Sequence, residues 1–185
     1  MIKFCRYLVY SLFSLLVLGG INDISAQESI AEEVVSDEDD RIKYLLYKIN
    51  EIRTSGCRCG RKKMPKVNKL VWNKQLSYSA YEHAQEMNDF NYFSHHSRDD
   101  KDIGERLDAL GYKWQYVGEN LAEGQTSFDE ALDDWMASKS HCTMIMNPDM
   151  KEMGVARVGM YWVHHFGTRM PPKTKRIRTH YTEGE

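Results

Sequence analysis

The sequence predicts an α+β fold with an antiparallel sheet. Helix-patterned segments fill the chain up to about residue 139, and two β-rich runs follow Pro148 with almost no gap between them. Helices that precede the strands, without alternating with them, argue against a parallel βαβ arrangement. No internal repeat is visible. A content of 42% apolar and 28% charged residues belongs to an ordinary globular chain, and its length suits one domain with flanking tails.

The first 26 residues have the plan of a secretory signal peptide. Basic Lys3 and Arg6 precede a hydrophobic stretch from Tyr7 to Gly19, and small residues at Ser25-Ala26 set the expected cleavage after Ala26. The run is short of the roughly 20 apolar residues that span a bilayer, so no transmembrane segment is expected after cleavage, and no cysteine stands at the cleavage region to carry a lipid. A secreted or periplasmic location follows. Residues 27–40 hold seven acids and no base, an acidic linker leading into a helix N-terminus.

Ile42, Leu45, Leu46, Ile49 and Ile52 recur at helical spacing, which predicts an amphipathic helix over about 39–54 ending near Gly56. The bases Arg58, Arg61, Lys62, Lys63, Lys66 and Lys69 then read as a solvated loop. No aromatic interleaves them to stack a base, and residues 41–168 carry 18 bases against 17 acids, so no nucleic-acid partner is expected. Val71 adds a short strand. A second helix begins at the N-cap Asn73, with Leu76, Ala80, His83, Met87 and Phe90 on its inward face.

A third helix covers about Ile103 to Leu110 and is closed by Gly111; Gly118-Glu119-Asn120 reads as a turn. The fourth opens at Ser127 with Glu130 three residues on, a capping box, turns Phe128, Ala131, Leu132 and Trp135 inward and ends near Lys139. The runs Gly154–Met160 and Tyr161–Phe166 form a hairpin. Beyond residue 168, Arg169, Lys173, Lys175, Arg176 and Arg178 surround Pro171-Pro172, so 169–185 reads as a basic tail of disordered composition.

An ordered set of segments carries a family resemblance. Leu70-Val71-Trp72-Asn73, His83-Ala84-Gln85-Glu86-Met87, Tyr92-Phe93-Ser94-His95, Gly118-Glu119-Asn120-Leu121-Ala122-Glu123-Gly124, Trp135-Met136-Ala137-Ser138 with His141-Cys142, Asn147-Pro148, Glu152-Met153-Gly154-Val155-Ala156 and Tyr161-Trp162-Val163 with Phe166-Gly167 resemble, in that order, bacterial SCP domains of the CAP superfamily. The resemblance spans about residues 41–168. It implies a three-layer α-β-α sandwich and a cleft in which two histidines and two acids converge. Position by position, these fall on His95, Glu119 and His141, while Ser138 stands where many eukaryotic members have the second acid.

Two neutral imidazoles and one carboxylate form a ligand set that zinc accepts with an open fourth position. His95 and His141 are therefore the expected ligands of zinc or another divalent cation, with Glu119 as third ligand or as orienter of a histidine. Ser138 brings no negative charge, so binding should be weaker than where both acids are kept. Glu119 has a structural alternative, a scaffold carboxylate that accepts backbone donors, and Asn120 reads as structural. His83, His96, His164 and His165 read as core, surface or hydrogen-bonded histidines, Trp72, Trp135 and Trp162 as core, and Trp114 and Tyr116 as rim of the cleft. A Ser138 nucleophile with His141 as base is drawable if the fourth helix continues that far, but nothing marks an oxyanion hole.

The favoured function is a non-catalytic extracellular binding module, a monomer whose cleft takes a metal, a small apolar molecule or a glycan or envelope component. The alternative is a zinc-dependent hydrolase of peptide or cell-wall bonds, with Glu123 as its second acid. Export permits a disulfide among Cys57, Cys59 and Cys142. The resemblance of Cys59-Gly60 to the family's Cys-Gly favours Cys59 with Cys142; a Cys57–Cys59 bridge would strain the bond geometry. The long bridge would close a loop of roughly 80 residues, for about 4 kcal/mol of chain entropy.

Overall fold

The structure, a computed structural model, describes residues 20–171, with side chains from Asp37 onward. Two compact units divide the chain, residues 1–41 and 42–185. Helix α1 spans Gly20–Ser55, beginning well before residue 39. Apolar periodicity marks only the stripe that packs, whereas the helix itself runs on because no glycine or proline interrupts the chain from Ile21 to Ser55. The expected cleavage point after Ala26 and the acidic stretch 27–40 both lie on this helix. Residues 1–19 and the tail from 172 lie outside the described residues.

Gly56, at φ +74°, ends α1. The basic segment that follows is not a loop but a small antiparallel hairpin, β1 (Cys57–Cys59) and β2 (Lys62–Met64), turning on Gly60 at φ +60°. Its bases stay exposed, while Cys59 and Met64 are buried. Sequence reading missed it because strands of three residues carry too little alternation to register.

The main sheet is ordered β3–β5–β6–β4. Strand β3 (Val71–Trp72) pairs parallel with β5 (Glu152–Val158), so one of the three pairings departs from the antiparallel expectation. Asn50 of α1 fixes the approach to β3, exchanging hydrogen bonds of 2.9 and 2.7 Å with the Leu70 backbone. Strands β5 and β6 (Tyr161–Arg169) form the expected hairpin around Gly159-Met160. Arg169 still pairs in the sheet, which moves the domain edge one residue past 168. The fourth strand, β4 (Trp114–Glu123), is a full antiparallel partner of β6 and runs through Gly118-Glu119-Asn120, which is therefore mid-strand and not a turn.

Helices cover both faces, giving the α-β-α sandwich. Helix α2 (Lys74–Phe90) is capped by Asn73, whose side chain accepts from the Gln75 and Leu76 amides. It lies on one face against Leu121, Ala156, Tyr161 and Val163. Phe90 is 54% exposed instead of inward, standing at the very end of α2 beside Asn91 (φ 50°); Arg98 covers the ring at 3.8 Å. Helix α3 (Ile103–Ala109) opens with a full Asp102/Glu105 capping box. On the other face, Leu45 and Ile49 of α1 pack with Phe128, Ala131, Leu132 and Trp135 of α4 (Phe128–Ala137) and with Trp162 and Phe166. The Ser127 cap is half of the expected box: Ser127 Oγ accepts from Glu130 N, but the Glu130 carboxylate accepts from Thr126. α4 stops at Ser138, in extended conformation, and a separate helix α5 (Lys139–Ile145) follows.

A buried arginine closes this layer. Arg53 is 0% exposed and donates to four main-chain carbonyls, Asn68, Ile145, Asn147 and Met150. Burial brings its guanidinium down to about 10.

The α2 layer depends on Gly154, where a Cβ would run into the Ser77 amide and the Leu76 carbonyl carbon of the α2 backbone. Backbone cannot move aside as a side-chain tip can, so Gly154→Ala should lose about 3 kcal/mol or more, the upper range for overpacking. Urea unfolding checks this, and a loss under about 1 kcal/mol would show that α2 can slide away from β5.

Candidate functional site

The site is built around one carboxylate. Glu119 sits mid-strand on the α2 face of β4, its side chain only 3% exposed, directly across from His165 of β6. Its Oε2 accepts from Arg106 Nη2 of α3 at 2.6 Å and from His165 Nε2 at 2.8 Å, while Oε1 meets His95 Nδ1 at 2.6 Å. His83 Nε2, 4.0 Å from Oε2, hydrogen-bonds the Ser94 carbonyl at 2.8 Å. Burial alone would raise the Glu119 carboxyl, but the hydrogen bonds from His165 and His95 and the Arg106 charge outweigh it. They hold the group far below the usual carboxylate range.

Each partner comes from a different element. His95 lies on the exposed segment after α2, held near α3 because Arg106 Nη1 also donates to the His95 and Lys101 carbonyls. The hydrogen bond to Glu119 raises His95 above its ordinary basicity. Because Nδ1 faces the carboxylate, Nε2 is the ring atom left for anything outside. His165 is buried and lowered by that burial. His83 is pushed down to about 4, by burial first and then by the Arg106 charge.

His141 stands on α5, half-buried. Burial lowers it, and the His95 charge lowers it further. Among the described residues its ring makes no hydrogen bond, but its carbonyl accepts from Asn120 Nδ2 at 3.1 Å, so Asn120 positions the helix. Ser138 does not meet His141: its Oγ is 3.1 Å from Ser140 Oγ, and the break between α4 and α5 falls on it. The donor atoms of His95, Glu119 and His141 do not gather within 4.8 Å of one another; among the described residues, Cys57, Cys59 and Cys142 do. Cys59 and Cys142 form a disulfide, with Cys57 free.

Sequence reading named His95, Glu119 and His141 but missed Arg106 and His165, the two groups that occupy Glu119 Oε2. Arg106 gave no signal, being one base on a short amphipathic helix. His165 could have been found from alternation, had β4 been recognised as the strand opposite it. Alternation along β6 does separate His165 from His164, which is buried on the other face against Trp135 and Phe166 and lowered well below its ordinary value by burial. Trp114 is no rim residue; it packs with Leu76, Leu107 and Tyr112. A cavity of ≈ 370 Å³ opens beside the cluster, lined by Ser79, Glu82, His83, Glu86, Ser97 and Arg106 among others. Ser79 Oγ, His83 Nδ1 and Arg106 Nε are buried there without a hydrogen-bond partner, so the cavity suits water or a polar guest.

The profile of the cysteine-rich secretory protein family (CAP) matches residues 46–163. A Bacillus subtilis protein described as uncharacterized protein YkwD is 34% identical over 99 residues, 52% of this chain and 38% of that protein. An extracellular protein containing an SCP domain, from Bacillus anthracis, superposes with a TM-score of 0.62 at 26% identity, covering 71% of this chain and 41% of the other. An outer surface protein of Borrelia burgdorferi shares the fold at a TM-score of 0.61 and 21% identity, over 71% and 94% of the two chains. The chain thus spans about two fifths of the two Bacillus proteins.

The titrating groups set a pH dependence. His83, His141, His164 and His165 refuse in the fold a proton that the unfolded chain takes up below about 6.5, so each subtracts stability as pH falls through that value. Glu119, depressed in the fold, adds stability that is present above its ordinary 4.5 and is lost as pH falls toward its folded value. Only His95 runs the other way, stabilising below 6.5 and losing this as pH rises through its raised value. The thermal midpoint should therefore drop steadily between neutral pH and about pH 4. A flat profile over that range would contradict the proton bookkeeping.

Proposed function

The chain belongs to the cysteine-rich secretory protein (CAP) family, and from that premise we propose that it is an exported, non-catalytic binding module whose cleft holds a divalent metal such as zinc between His95 and His141. The observation that carries this reading is the engagement of the buried Glu119 by three cationic or imidazole donors. A buried carboxylate that accepts from Arg106, His165 and His95 is held far below the usual carboxylate range and so has little affinity for a proton, which makes it a poor general base. It serves well as the outer partner of a metal-ligating histidine, fixing the tautomer of His95 with Nε2 outward. Of the two roles expected for Glu119, the orienting one is therefore favoured over direct ligation. Bound there, a metal would supply Lewis acidity and a fixed positive charge for an anionic or oxygen-rich ligand.

Export is supported by the charge and hydropathy plan of residues 1–26 and by the extracellular and outer-surface descriptions of the structural neighbours. Among the described residues, no helix is long and apolar enough to cross a membrane. The polar lining of the adjacent cavity favours a glycan or other polar envelope component over a small apolar molecule. The hydrolase alternative lacks its second acid: Glu123 lies four residues along β4 from Glu119, roughly 13 Å at strand rise, among Gln125, Asp133 and Asp134.

Titration calorimetry with zinc tests the metal. The parent should bind, more weakly in mildly acidic buffer because protonated imidazole cannot ligate. His95→Ala/His141→Ala should abolish the signal, and Glu119→Gln should weaken it by about 10–100-fold. A double variant that binds as the parent does would remove the metal. Incubation with casein and with peptidoglycan tests the absence of catalysis, with silence expected for both. Turnover that chelator abolishes and Glu119→Gln removes would establish the hydrolase instead.

A further inference from the structure

The three cysteines outside the cleft converge on one point. Cys57 and Cys59 are two apart on β1 and so share a face of the strand. Cys142 packs over that face from α5, in a cluster with Met64 and Met146. With Cys59 and Cys142 bonded, the free Cys57 Sγ lies 3.9 Å from Cys142 Sγ and 4.0 Å from Cys59 Sγ. Burial separates the two strand cysteines: Cys59 is 0% exposed, while Cys57 is half-buried on the wall of a cleft formed with Ser55, Gly56, Arg58, Lys63, Met64 and Lys66.

We propose that Cys57, Cys59 and Cys142 form an intramolecular thiol–disulfide exchange centre in which Cys142 is the shared sulfur. The Cys57 thiol gives its proton to solvent through the open cleft. The three sulfurs form a triangle, so the Cys57 side chain first rotates onto the line of the Cys59–Cys142 bond; its thiolate then attacks Cys142 Sγ, the Cys57–Cys142 bond forms as the Cys59–Cys142 bond breaks, and Cys59 leaves as thiolate and takes a proton. One disulfide and one thiol stand on each side, so no oxidant or reductant is consumed. Burial pushes the Cys57 thiol up, so the thiolate and the exchange should grow as pH rises; Arg58, Lys63 and Lys66 line the same cleft. The exchange moves the free thiol from the half-exposed position 57 to the fully buried position 59, where it behaves as a small apolar group and is shielded from outside oxidants and thiols.

Trypsin resolves the two isomers, because it cuts after Arg58 and puts Cys57 and Cys59 on separate peptides. Purified oxidised protein is held in mildly alkaline buffer, quenched in acid, alkylated in denaturant and digested without reduction. At zero time the alkyl group should sit on Cys57, with residues 59–61 linked to 140–151. With incubation, label should appear on Cys59 as residues 54–58 become linked to 140–151, rising to a plateau at a rate that dilution of the protein leaves unchanged. Cys59→Ser, isolated under oxidising conditions, should carry the Cys57–Cys142 bridge and retain the parent's circular dichroism. Label confined to Cys57 after prolonged incubation with a trace of small thiol overturns the proposal. So does a rate that scales with protein concentration, since exchange would then run between molecules. If Cys59→Ser fails to fold, the parent's time course still decides.

Discussion

A buried negative charge governs the centre of this molecule. Taking a carboxylate out of water costs several kcal/mol unless ion pairs and hydrogen bonds replace the lost hydration. Glu119 meets that demand with an arginine and two histidines drawn from α3, the segment after α2, and β6. The charge thereby dictates where three otherwise unconnected pieces of chain must lie, and the exposed His95 inherits a fixed orientation from a buried network.

Two other contacts transmit that order to the second imidazole. Asn120, the next residue along β4, points to the opposite face and holds the carbonyl of His141. One residue later, Cys142 bonds α5 to the hairpin. Neighbouring side chains of one strand and one short helix therefore connect the two faces of the sheet. A helix of seven residues would hardly keep its place on propensity alone; here it is held from below by an amide and from the side by sulfur.

Much of this was legible in the sequence, and the parts that were not share a cause. The caps at Asn73 and Ser127, the inward stripe of α4, the β5–β6 hairpin and the buried tryptophans rest on local patterns, and local pattern is what a sequence displays. Strand β4 was lost because Gly118, Glu119 and Asn120 have turn-like chemistry, while their strand conformation comes from the ladder with β6. His165 was read as a hydrogen-bonded histidine without its partner for the same reason, and Arg106, one base on a short helix, gave no signal. The family pattern supplied His95, Glu119 and His141 without saying what Glu119 touches, and its partners are visible only once the chain is folded.

Arg53 carries a further implication, for the order in which the chain can assemble. Its guanidinium stays charged at any ordinary pH, and three of its four carbonyl partners lie 92 to 97 residues further along the chain. Contacts of such high sequence separation form late and slow folding. During synthesis, the end of α1 emerges long before the 145–150 segment that must receive it, so Arg53 remains hydrated and its helix cannot dock early. A nascent chain built this way cannot complete the layer that α1 closes until the 145–150 segment exists.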